Sequence, residues 1–327
     1  MRNKQVIAYL VVITLLIITS LVAITVGGST IGATEIIDLL TNSEDVSNTS
    51  KIIIFEIRIP RIIGAITVGA TLAVSGTLIK AVMKNPLADT GLLGIQSGAS
   101  LCAMIVILIA PQFMPMLPLF AFGGGISAYL MLSVLAYKDG IQPLRLVLAG
   151  VAVNSLFGAF IGIITIYNSE ELQNALTWLN GSLASITVTD AKILVIYGTI
   201  ALIIAMFTIP KCNLLALDDM TIINLGENLT RTRMILASVS VLLSAISVSI
   251  VGVIGFVGLI IPHIARMIIG TNHKYMMPFS MILGSLFVLL ADTMQVIVFS
   301  PVEMPVGIII SLIGAPFFLY LLRKEKI

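Results

Sequence analysis

Few side chains in this sequence have the chemistry to do more than fill space. Arg58 and Arg61 stand three apart, so a helix carries both on one face. Guanidinium forks hold carboxylates bidentately, and long cationic side chains also snorkel at a membrane boundary. The pair therefore reads either as a boundary anchor or as a grip on acidic groups of another protein. Asp292 is the one clear acid inside an apolar run. It falls mid-span near Thr293 and Gln295, with no basic partner in its own helix. Burying a lone charge in lipid is costly, which marks it as a functional candidate. His263 and His273 have no Cys or carboxylate at ligand spacing, so no metal site is expected. His263, beside Pro262, reads as a polar residue at a kinked helix end. Cys102 and Cys212 are too few for a disulfide framework and read as packing residues. No G-x-x-x-x-G-K-[ST] occurs, so the chain has no P-loop for ATP, and no catalytic constellation is visible. Gly123, Gly124 and Gly125 read as a flexible or closely packed helix start and not as a phosphate loop, because no strand precedes them.

The remaining sequence has to position these groups, and its composition says in what solvent. Of 327 residues, 58% are hydrophobic and 10% charged, whereas soluble domains carry roughly 25% charged residues. Ten apolar segments can be drawn, at 6–26, 60–82, 93–111, 117–136, 143–167, 192–210, 232–251, 253–269, 278–299 and 305–322. The expected fold class is an all-α integral membrane protein of about ten transmembrane helices. The first run is longer than the ~7–15 residues of a signal-peptide core and lacks a small-residue cleavage site, so it reads as a retained helix. An even number of crossings puts both termini on one side. Fourteen of the 18 Lys and Arg residues fall on that side, which makes the termini cytoplasmic.

The stretch 58–99 organises the chain. It enters lipid at the two arginines and leaves at the polar turn Asn85-Pro86-Leu87-Ala88-Asp89. On the outer face, the loop 27–57 has room for a short helix at 33–41 capped by Thr34. The 178–182 loop (WLNGS) reads as lying along the surface, with Trp178 an interfacial anchor. On the inner face, 211–231 is the longest connection. Asp218 or Asp219 can cap a short helix through Ile222, Ile223 and Leu225, and Gly226 can end it. Such a helix either lies on headgroups or docks a soluble protein; its acids Asp218, Asp219 and Glu227 favour a protein. The chain reads as one permease domain, 1–327. Gly76, Pro86 and Gly94 are echoed 176 residues later by Gly252, Pro262 and Gly270, which suggests halves at about 1–168 and 191–327. Scarce intramembrane charge disfavours an ion-coupled carrier or a charged-ring channel, and nothing points to nucleic acid.

Several ordered motifs then carry a resemblance that spans almost the whole chain. They are Arg58-Ile59-Pro60-Arg61, 69–76 (GATLAVSG), 85–89 (NPLAD), Leu93-Gly94, Ser97-Gly98-Ala99, 148–154 (LAGVAVN) and 178–183 (WLNGSL). Leu225-Gly226-Glu227, 255–266 (GFVGLIIPHIAR), 303–307 (EMPVG) and 314–319 (GAPFFL) complete the set. The sequence resembles the FecCD-type permease subunits of type II ABC importers, which move iron–siderophores, haem and cobalamin. The resemblance implies a ten-helix subunit that pairs with a second, identical or different permease around a central pathway. Two cytoplasmic ATPases would dock on segment 214–230, with Asp218, Asp219, Ile222, Leu225, Gly226 and Glu227 as coupling residues. An extracytoplasmic binding protein would dock at Arg58 and Arg61. Gly69, Gly76, Asn85, Pro86, Gly255, Gly258, Pro262, Asp292, Glu303 and Pro305 take pathway or structural positions. The chain itself needs no cofactor, since ATP–Mg would sit on the partner ATPases. The implied cargo is an iron(III)-siderophore-type chelate, with a haem or cobalamin permease and an ion-coupled secondary transporter as the alternatives. Reversing both arginines to glutamate is expected to weaken docking without disturbing insertion. Three positions depart from the family: Lys80, where Gln is frequent; Thr90, where Pro is; and Val296, where an arginine commonly stands four residues after the matched Asp.

Overall fold

An apolar run in lipid has no water to satisfy its backbone, so it must bond to itself and becomes a helix. The computed structural model describes residues 3–26, 48–137, 140, 142–168 and 172–324. The ten longest helices are α1 (Asn3–Thr25), α2 (Ile59–Met83), α3 (Ile95–Met104), α4 (Leu117–Ala136), α5 (Pro143–Tyr167), α6 (Val188–Phe207), α7 (Leu229–Val251), α8 (Val257–Ile269), α9 (His273–Phe299) and α10 (Val306–Lys324). Each matches one of the ten apolar segments. A short helix Asn48–Ile52 and a wider-wound Ile53–Arg58 lead straight into α2, and Ile105–Ile109 prolongs α3. Among the described residues seven helical stretches are long and apolar enough to cross a membrane, and those of α3, α8 and α10 are shorter. At 13 residues, α8 is about 20 Å long, against a hydrocarbon core of ~30 Å, because 252–256 is not helical. The proposed helix at 33–41, with its Thr34 cap, lies outside the described residues, as do Glu35, Asp38, Glu44, Asp45, Lys138, Glu170 and Glu171.

The core is built around α2. In its most apolar window 89% of residues are buried, against 11% for α1 and for α5. It packs on α6, α7, α8 and α9 at once, while α1 and α5 turn Leu10, Ile17, Leu144 and Ile166 outward. Lipid gives no hydrophobic drive between helices, so close approach and polar bonds must hold them. Both are present. A Cβ on Gly69 would collide with the Gly284 backbone of α9, and one on Gly76 with the Gly258 backbone of α8. Between α2 and α7, Ser75 Oγ donates to the Ser240 carbonyl at 2.5 Å and Ser240 Oγ donates back to the Ser75 carbonyl at 2.9 Å. Thr71 and Ser247 share a third bond at 2.5 Å.

Three expectations need correcting. Pro262 lies inside α8 rather than in a turn, and His263 is therefore not at a helix end. A proline in the sixth position of a helix costs only the bond to residue 258, whose backbone faces Gly76. The repeat landmarks occupy unlike places: Gly76 is mid-helix while Gly252 ends α7, and Pro86 is in a turn while Pro262 is not. The WLNGS loop does not lie along the surface. The Ser182 amide donates to the Val251 carbonyl at 2.8 Å, the Gly307 amide donates to the Gly181 carbonyl at 3.2 Å, and Trp178, half-buried, packs on the cluster of Ala99, Ala121 and Val248. Gly181, at φ +67°, sits so close to the Val253 carbonyl that a Cβ would clash.

Candidate functional sites at the two ends of α2

At the N-terminal end of α2, Arg61 and Asp292 form a bidentate pair across to α9. Nε donates to Oδ2 at 2.8 Å and Nη2 to Oδ1 at 2.9 Å. Arg61 Nη1 also donates to Glu303 Oε1 at 3.2 Å. Asp292 is buried, Arg61 nearly so, and Glu303 is 60% exposed. Asp292 is therefore neither unpartnered nor mid-span: it lies two turns from the end of α9, and its partner comes from another helix. Val296, which stands where the family's arginine would, lines the same cavity of about 240 Å³ with Arg58, Arg61 and Glu303. Arg58 is 6% exposed and donates to the Ile24 carbonyl of α1. Neither arginine projects freely from the surface. The loop beyond α9 returns to α10 through Pro305, and Gln295 Oε1 accepts from the Met304 amide at 3.1 Å, which steadies Glu303.

At the other end, α2 stops at Lys84, which adopts a left-handed backbone (φ 49°). Asn85 Oδ1 accepts from the Leu87 amide at 2.8 Å, which closes the NPLAD turn in the way Asn prefers. A short turn, Thr90–Leu93, follows, with Thr90 buried. Asn154 of α5 donates to the Gly91 carbonyl at 3.0 Å and accepts from Ser97 at 2.6 Å, so the 148–154 and 97–99 motifs meet beside this turn.

Beside this turn lies the helix Asp219–Asn224. Asp218 is its cap, accepting from the Thr221 amide at 3.1 Å and hydroxyl at 2.8 Å. Leu225 closes it and Gly226 follows at φ +79°, the conformation glycine adopts without strain. Ile222 is fully buried, while Met220, Ile223 and Leu225 are exposed, and so is Glu227. Asp219 holds the helix to the bundle: Lys84 Nζ donates to it at 2.6 Å and Arg233 of α7 at 2.9 Å. Lys84 also donates to the Leu217 carbonyl at 2.5 Å. Partial burial pushes the Asp219 carboxyl up, but the hydrogen bonds and charges of Lys84 and Arg233 outweigh it and hold it below 3.8. The Thr221 bonds likewise hold Asp218 below its ordinary value.

Sequence reasoning offered Asp218 or Asp219 as the cap and Gly226 as the terminator; the structure makes Asp218 the cap, buries only Ile222 of the three apolar residues named, and adds Lys84 and Arg233 as clamps that the sequence reading missed. The only signal was two basic residues beside two acids on one face of the membrane. Gly255 needs no glycine: space is open where its Cβ would stand, and Phe256 takes the left-handed φ of 64°. Among the described residues no His, Cys, Asp and Glu cluster could hold a metal ion.

A family model described as the FecCD transport family matches residues 15–324. The chain belongs to the FecCD transport family. It is a permease subunit of an ABC importer, a multi-pass protein of the cytoplasmic membrane, and in this family ATP hydrolysis lies in separate subunits. The permease is 40% identical over 288 residues to the Fe(3+)-citrate import system permease protein YfmE of Bacillus subtilis, covering 88% of this chain and 86% of that one. It is 37% identical to the hemin transport system permease protein HmuU of Yersinia pestis, covering 83% of each. Its fold matches a solved inward-facing conformation of a metal-chelate type ABC transporter with a TM-score of 0.86 at 28% identity, over 97% of this chain and 99% of that one.

Proposed function

We propose that this permease imports an iron(III) chelate of the siderophore or citrate type, delivered by an extracytoplasmic binding protein and driven by two ATPases that dock on 214–230. The observation that carries the reading is α2, ion-paired to α9 at one end through Arg61 and to the short helix at the other through Lys84. A push on Asp219–Asn224 is thereby transmitted to the most buried helix in the bundle. Exposed Met220, Ile223 and Leu225 give the ATPases an apolar ridge, and Asp219 fixes its angle. A second permease would pack on the open side of α5, where space is free at Gly158 and Gly162, and enclose the pathway. The relatives' ferric citrate and hemin support an iron-bearing cargo, and a core whose buried charges (Arg58, Asp292 and Arg233) sit toward its two ends suits a conduit that leaves recognition to the binding protein.

Arg58 and Arg61 serve docking through exchange rather than exposure. The Arg61–Asp292 bonds are short and buried, but its bond to Glu303 is longer and solvent-facing. A carboxylate of the binding protein would displace Glu303. Cargo class is tested by uptake of radiolabelled ferric citrate, ferric hydroxamate and haem into cells carrying the complete importer. Uptake of haem alone would overturn the chelate assignment.

A further inference from the structure

At the Asp219 end, a cavity of about 270 Å³ opens between α2, α8, the start of α9 and the short helix Ile209–Leu215. Its wall carries Lys80, Lys84, Arg266, His263 and His273, and not one carboxylate. The charges are only partly answered. Lys84 shares Asp219 with Arg233 on the far side of the wall. Lys80 Nζ donates to the Leu259 carbonyl at 2.6 Å, a neutral acceptor, and Asp89 acts on it from outside the cavity. Arg266 is exposed and forms no ion pair among the described residues. His273 Nδ1 is held by Asn213 Oδ1 at 3.0 Å, which aims the ring from the α9 side.

Asp219 and Asp89 answer Lys84 and Lys80 from outside the cavity, but Arg266 has no ion pair among the described residues, and the wall itself carries cationic groups with no anion among them. We propose that this cavity binds a phosphate group, the chemistry shared by a phospholipid headgroup and free phosphate. Its size lies below the roughly 300–1,000 Å³ of sites for drug-sized ligands, so it excludes a bulky chelate. Every charged group on the wall is a potential donor, and Thr77 and Thr271 add hydroxyls. That matches an anion with several acceptor oxygens better than a carboxylate with two. The site lies at the end of the bundle where basic residues gather, and basic pockets between helices at such boundaries take anionic headgroups.

The test uses the full-length chain, delipidated in a phosphate-free maltoside detergent. Its thermal midpoint is followed as phosphatidylglycerol, sodium phosphate or oleate is added at constant ionic strength. Phosphatidylglycerol or phosphate raises the midpoint, and Arg266→Gln weakens the half-saturation about tenfold, as losing one charge-assisted bond implies. Arg266→Lys retains most of it. A response to phosphatidylglycerol alone assigns a headgroup; a response to both assigns a free phosphate site. If Arg266→Gln fails to fold, Lys80→Gln carries the same expectation. No shift, an equal shift with oleate, or an unchanged half-saturation in the folded variant overturns the proposal.

Discussion

Arg61 is asked to satisfy two acids of different character. Asp292 is buried and receives two bonds, while Glu303 is exposed and receives one. Removing one member of a buried pair strands the other charge and costs about 3–5 kcal/mol, whereas an apolar pair of similar volume is often tolerated. Arg61→Ala should therefore destabilise the detergent-solubilised permease by about that amount, while Arg61→Leu combined with Asp292→Leu costs much less. Equal losses in thermal unfolding would show that the pair is not what holds α2 to α9 there. It also follows that Arg61→Glu sets three carboxylates together and disturbs insertion, so it is no clean probe of docking. Glu303→Gln is the better one. Exposed pairs contribute roughly 0.2–1 kcal/mol, so removing this competitor should tighten binding-protein affinity by up to about fivefold. An unchanged Kd would argue against docking at Arg61. At the other end, Asp219 carries a folded value below 3.8. A depressed carboxylate contributes its full stability above the unfolded value and loses it as pH falls through the folded one. Protection of amides 219–226 against hydrogen exchange, taken relative to the intrinsic rate at each pH, should thus stay constant from pH 8 to 5 and fall only below about 4; a fall between pH 5 and 7 would contradict the Lys84–Asp219–Arg233 clamp.

At the scale of elements, α2 is fixed by contacts that leave no room for a side chain. Gly76→Leu would force α2 and α8 apart where Gly76 meets Gly258. Overpacking of this kind costs about 1–3 kcal/mol, and because the neighbour is backbone the upper end is expected in a thermal unfolding assay. Gly226→Pro removes the amide that bonds Ile223 at 2.9 Å and cannot reach φ +79°. It should leave ATP hydrolysis in the assembled importer intact and cut uptake at least tenfold; normal coupling would contradict the role of 214–230. The helices themselves were legible because composition and length decide them in lipid: all ten segments begin or end within about three residues of their helices at one end or both. The Asp218 cap and the Gly226 terminator were legible because both are local chemistry. What was not legible is lateral. Arg61 and Asp292 are separated by 231 residues, Lys84 and Asp219 by 135, and periodicity carries no information about which helix faces which. The WLNGS loop misled for the same reason: its amphipathic pattern suits a surface as well as a slot between α7 and α10.

For the molecule as a whole, a buried α2 tied at both ends makes one rigid link between two partner faces. The permease sequence holds no P-loop, and under the proposed docking of ATPases on 214–230 the energy for transport arrives through that segment. The central claim is that this chain moves an iron chelate only as part of a complete ATP-driven assembly. The direct measurement is uptake of radiolabelled ferric chelate into proteoliposomes containing the permease with or without its partner ATPases, with binding protein outside and ATP enclosed. Uptake is predicted only when ATPases, ATP and binding protein are all present, and it should stop when ATP is replaced by a non-hydrolysable analogue. Chelate accumulation by the permease alone, driven by an ion gradient without ATP, would contradict the account.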